Sequence, residues 1–191
     1  MAQVNDIQIF YFHGFNSGEQ SSTFNRIKAA FPNTQLVRYN FMEYEKAYQE
    51  IDSFLRNQKL DDTKTVFIGS SLGGYWANLF CSVFGIQTIL INPSLNPSDS
   101  LLKYVGQEFI CKGITYQFKE ENAGGYNDNP LRIYPRVVFI GRKDYVVDYH
   151  ETEKILGEHA KFIYLADEGH QLQNIQPLLE MIPQMMNTIA G

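Results

Sequence analysis

Gly69-Ser70-Ser71-Leu72-Gly73 has the pattern GxSxG and stands between an apolar, β-branched run, Thr65 to Ile68, and a helical pattern starting at Leu72. A serine at the centre of a strand-to-helix turn must take a strained backbone. A glycine two positions away on either side removes the side chains that would collide there. The helix that follows presents N–H groups and the positive end of its dipole to a developing oxyanion. Ser71 is therefore the candidate nucleophile. Ser70, one position off, is expected to turn away from the site.

A serine hydroxyl needs a base, and the base needs a group that orients it. His170, in Asp167-Glu168-Gly169-His170, follows the last β-rich run in a turn-rich loop, which suits the chain order Ser, acid, His. The run Val137 to Ile140 leads into Gly141-Arg142-Lys143-Asp144, and catalytic residues of open parallel sheets gather in loops leaving strand C-termini. Asp144 is favoured as the acid. Asp148, just ahead of a helical pattern, reads as an N-cap, and Asp167 and Glu168 lie too near His170 in sequence to be preferred. In His13-Gly14-Phe15, Gly14 lets the backbone approach a substrate closely, and the N–H of Phe15 pairs with that of Leu72 as a two-donor oxyanion hole. His13 is read as structural, and His150 and His159 as solvated. Phe15, Tyr75, Trp76 and Tyr145 are candidates for the wall of a substrate pocket.

These residues need a scaffold, and the chain supplies the pattern of one. Continuous apolar runs at Ile7 to Phe12, Thr65 to Ile68, Thr88 to Ile91, Val137 to Ile140 and Phe162 to Leu165, with a weaker one at Gln35 to Val37, suit strands buried on both faces. Helical spacing appears between Tyr44 and Leu55, over Leu72 to Phe84, over Tyr149 to Leu156, and from Ile175 to Ile189 with Pro183 expected to kink it. Strands alternating with helices predict an α/β fold with a doubly wound, mainly parallel sheet. From Asn92 to Pro135 the alternation stops, with a turn-rich tip at Gly124 to Pro130. An excursion of that length predicts a lid or cap, about residues 93–135, on a single domain of 1–191.

The composition narrows the function classes. With 191 residues, 44% of them hydrophobic, the chain can build a full core, and a net charge of −5 with no Lys/Arg block argues against nucleic acid as partner. The two cysteines, Cys81 and Cys111, form no CxxC pair, and Cys81 sits in an apolar run that predicts burial. The first residues lack a basic segment ahead of an apolar stretch, and no apolar run is long enough to cross a bilayer, so a cytoplasmic location is expected. Neither HxxxH nor HExxH occurs, and the histidines are scattered among unrelated elements, so no metal is expected.

YFHGF, GSSLGG, GRKDYVVD and EGH, in this order, resemble the α/β-hydrolase superfamily. More narrowly, YFHGFNS, GSSLGGYWA and INPSLNP resemble the small bacterial esterases of the YqiA/YcfP family, over nearly the whole chain. The resemblance implies a trimmed hydrolase sheet, a small cap after Asn92, and Ser71, Asp144 and His170 as triad. It also implies activity on small-molecule carboxylic esters or acyl thioesters without a cofactor. The reading from another class is a non-catalytic α/β-hydrolase-fold module that binds a ligand or a protein. A peptidase or haloperoxidase variant of the same triad is a third.

Overall fold

In β1 (Gln8–Phe12) neighbouring side chains go to opposite faces, and both faces are buried. Phe10 and Phe12 enter one apolar cluster, Ile9 and Tyr11 another. The same division runs through β3 (Thr65–Ser70), β4 (Thr88–Ile91) and β7 (Arg136–Gly141), which explains their unbroken apolar sequence. The computed structural model describes residues 6–126 and 134–189, with side chains to 186. With β2 (Thr34–Val37) and β8 (Lys161–Leu165), these strands form a six-stranded sheet in the order β2-β1-β3-β4-β7-β8. Every pairing in it is parallel.

Helices cover both faces. α1 (Ser22–Ala30) and α7 (Gln176–Ile189) pack with Ile9, Ile68, Ile89 and Phe139. α2 (Tyr44–Arg56), α3 (Leu72–Phe84) and α6 (Tyr149–Leu156) pack with Phe10, Phe67, Leu90 and Val138. Strands and helices expected from the runs above stand where they were read, and Pro183 lies inside α7. α1 was not anticipated: its apolar face is short, and its start is marked only by Ser21, whose hydroxyl accepts from the Phe24 N–H at 3.2 Å.

Between β4 and β7 the chain leaves the sheet. It forms α4 (Pro97–Ser100), an antiparallel pair β5 (Glu108–Cys111) and β6 (Ile114–Gln117), and α5 (Glu120–Ala123). Residues 127–133, which include the later part of the turn-rich tip, lie outside the described residues. The hairpin escaped sequence reading because its strands have four residues each and only Cys111 among them is buried.

The strand order matters for the site. From β1 the chain goes to one side for β2, then returns across β1 to place β3 and β4 on the other. Loops leaving β1 and β3 therefore part at a topological switch, where open α/β sheets form their ligand crevice.

Candidate active site

Ser71 follows the last residue of β3 and stands at the N-cap of α3 with φ 54° and ψ −122°, a conformation an L-residue adopts only under constraint. The constraint is visible. The Ser71 N–H donates to the Ile91 carbonyl at 3.0 Å, and its own carbonyl accepts from Gly74 at 2.8 Å and Ser94 at 3.0 Å. Gly73 lets α3 press against the end of β1, because a Cβ there would overlap the Phe12 and His13 carbonyls. A Cβ on Gly14 would come 3.3 Å from the Ser71 Cβ, so the glycine leaves open the space beside the serine.

Asp144 follows β7 and His170 follows β8, and the two meet. Asp144 Oδ2 lies 2.8 Å from His170 Nδ1, with the carboxylate 1% exposed and the imidazole 20% exposed. The other carboxylate oxygen accepts from the N–H groups of Val146 at 2.7 Å and Val147 at 3.1 Å. Both oxygens of the buried carboxylate thus face donors, three in all, as burial of charge requires. The remaining carboxylates go elsewhere. Asp148 caps α6 through the His150 N–H at 2.9 Å, Asp167 pairs with Lys143 at 2.8 Å, and Glu168 accepts from the Gln173 and Asn174 N–H groups.

Ser71 and His170 line one cavity of about 340 Å³ together with Gly14 and Phe15. The N–H groups of Phe15 and Leu72 have no backbone acceptor among the described residues, and Phe15 lines the cavity while Leu72 follows Ser71 at the start of α3. His13 is 3% exposed, stacks on Tyr39 with ring centroids 4.4 Å apart, and uses Nδ1 on the Gly14 carbonyl at 2.8 Å. Burial pulls its pKa down to about 4. The Tyr39 hydroxyl donates to the His13 carbonyl at 2.5 Å, so the pair props the loop that carries Phe15.

Four expectations change. Ser70 does not turn away: it lines the same cavity, because the last strand residue sits on the rim where β3 opens into the elbow. Tyr75 and Trp76 are fully buried beneath the insertion, against Tyr44 and Tyr126, since they lie a turn into α3 on its core side. Tyr145 is 93% exposed, and its neighbour Val146 faces the cavity instead, placed there by its bond to Asp144.

Asn92 was read only as part of a family block, yet it joins the rim. It is buried, takes φ 41°, and its amide donates to the Gly169 and His170 carbonyls at 2.9 Å each. Its Oδ1 accepts from the Gly141 N–H at 2.7 Å. One side chain at the end of β4 therefore ties the histidine loop to the strand that leads to Asp144. The signal available in sequence was an amide immediately after a buried strand, where a polar residue must find buried partners.

A family model described as an uncharacterised protein family, UPF0227, matches residues 8–187. The chain belongs to that family. Relatives within it include a UPF0227 protein of Shewanella loihica, 25% identical over 175 residues, covering 87% of this chain and 92% of that one. Another, from Yersinia enterocolitica, is 24% identical over 184 residues, covering 91% and 96%. Solved structures of similar fold include Est1E of Butyrivibrio proteoclasticus with ferulic acid bound (TM-score 0.70, 13% identity, 99% of this chain and 92% of that one). They also include a structure from a study of LipS and LipT, metagenome-derived lipolytic enzymes (0.74, 14%, 96% and 94%), and mouse alpha/beta hydrolase domain-containing protein 10 (0.71, 14%, 95% and 90%). With the parallel sheet above, these place the UPF0227 chain in the α/β-hydrolase fold.

Proposed function

We propose that this UPF0227 protein is a serine hydrolase that cleaves carboxylic esters or acyl thioesters through an acyl-enzyme. The observation that carries the reading is a strained Ser71 sharing a cavity with His170, whose far nitrogen is held by the buried Asp144. The similarity in fold to a lipolytic enzyme supports it.

In the first step His170 Nε2 takes the hydroxyl proton of Ser71 as Oγ bonds to the carbonyl carbon. The carbonyl electron pair moves to oxygen, where the Phe15 and Leu72 N–H groups receive it. Collapse breaks the bond to the leaving alcohol or thiol, which departs with the proton from His170. Water repeats the sequence and releases the acid. Asp144 keeps the imidazole in one tautomer and stabilises its charged form. The segment of about 93–135 acts as the cap over this site, pinned through Phe15.

Labelling with a fluorophosphonate, followed by mass spectrometry, tests the reading. The expected adduct lies on Ser71 and is lost in Ser71→Ala, with ester turnover falling by about five to six orders of magnitude. No adduct in folded wild-type protein would leave the chain as a binding module.

A further inference from the structure

We propose that the ester taken by Ser71 is short, uncharged and hydroxyl-bearing, and not the ester of a long fatty acid; this rests on the serine-hydrolase reading above. The cavity, at about 340 Å³, is at the lower end of the roughly 300–1,000 Å³ common for small-molecule sites. Beyond the catalytic groups its lining combines the hydroxyls and amides of Tyr11, Ser21, Thr23, Ser70, Gln20 and Gln171 with the apolar side chains of Ile91, Tyr104 and Val146. Among the described residues no Lys, Arg, Asp or Glu side chain lines it, so no charge awaits an ionic substrate.

Those hydroxyls engage one another, Tyr11 with Ser21, Ser70 and Thr23, and each keeps acceptor capacity for one more donor. The Tyr11 and Ser21 oxygens are 3.2 Å apart, longer than a good O–H···O bond, and Ser21 Oγ accepts from the Phe24 N–H at another 3.2 Å. An alkyl chain laid along this wall would strip water from the hydroxyls and return no hydrogen bond. A substrate hydroxyl would replace that water. The apolar Val137, Met181 and Met185 line a different cavity of about 550 Å³, whose wall also carries Arg136, Glu158 and Lys161. That cavity lies at the N-terminal ends of β4, β7 and β8, across the sheet from Ser71.

Two matched ester pairs test this, normalised to their uncatalysed rates. On the acyl side, p-nitrophenyl 3-hydroxybutyrate is set against p-nitrophenyl pentanoate, with the octanoate as the long-chain member. On the alcohol side, 2,3-dihydroxypropyl butyrate is set against butyl butyrate, followed by acid release. At least one hydroxylated member is expected to exceed its apolar match by about tenfold in kcat/KM, and octanoate to fall about tenfold below pentanoate. Thr23→Val and Tyr11→Phe each delete one hydroxyl at nearly constant volume, and in a variant that keeps a cooperative melting transition the hydroxyl preference should fall toward one. A fluorophosphonate adduct on Ser71 together with octanoate turned over as well as pentanoate, or with no hydroxyl preference in either pair, overturns the substrate class and leaves the hydrolase. Absence of the adduct overturns both.

Discussion

The C-terminal rim of the sheet and the insertion between β4 and β7 are held by different forces. The rim is a backbone construction. Ser71 and Asn92 sit at positive φ, Gly73 admits a helix against a strand end, and hydrogen bonds of 2.7 to 3.0 Å fix each loop to its neighbour. The insertion is an aromatic construction. Phe15 projects from the rim into it, stacks on Tyr104 at 4.8 Å and meets Phe41, Phe109 and Phe118 edge-on. Directional bonds hold atoms where a reaction needs them within a fraction of an ångström. Ring packing sets the shape of a pocket and tolerates exchange of like for like. The same fold can thus keep its chemistry constant while its insertion varies.

The contrast can be broken from the rim side first. Asp144→Asn removes the acceptor that selects the His170 tautomer while leaving its volume, and turnover of an activated ester should fall by about 10⁴ with a small change in melting temperature. Asn92→Ala touches no substrate, yet it frees the histidine loop from Gly141. The expected loss is about 10² in kcat with KM little changed, accompanied by about 2 kcal/mol of stability for the buried groups left unpaired. If kcat holds while stability drops, Asn92 is structural only.

From the insertion side the balance should reverse. Phe15→Ala empties the aromatic socket and is expected to cost about 3 kcal/mol in denaturant unfolding, whereas Phe15→Leu should recover most of it. A loss no larger than that of an exposed substitution would show that the insertion is not anchored there.

An effect confined to acid pH lies under the rim, at His13. Its imidazole is held neutral by burial, with a pKa near 4 against 6.5 when free. Between those values the unfolded chain binds a proton that the folded chain refuses, so stability declines as pH falls through this window and levels off below it. The decline attributable to this group is at most about 3 kcal/mol. In His13→Gln that part of the slope should vanish from unfolding curves measured between pH 7 and 4, even though the variant is less stable at neutral pH.

Much of the fold was legible because the parallel strands are buried on both faces and so read as unbroken apolar runs. Ile7 to Phe12 and Thr88 to Ile91 stand in the structure nearly as read. The elbow was legible for a related reason: only glycine fits where Gly69 and Gly73 meet the chain, so a local pattern carries a steric requirement. The hairpin β5–β6 was not, because short strands with mostly exposed side chains have no periodic signature. Tyr75 and Trp76 were misplaced because an aromatic residue near a nucleophile has the same sequence appearance whether it faces a pocket or the core.

What the sequence determined by itself was the order of elements, the strained serine and the short set of groups able to assist it, since each depends on local sterics or on spacing along the chain. What tertiary structure decided was which carboxylate meets His170, that Asn92 bridges the loops, and that hydroxyls line the cavity beside Ser71. Those contacts join residues far apart in the chain. Their energies depend on distance and burial in the assembled sheet, quantities that no local pattern records.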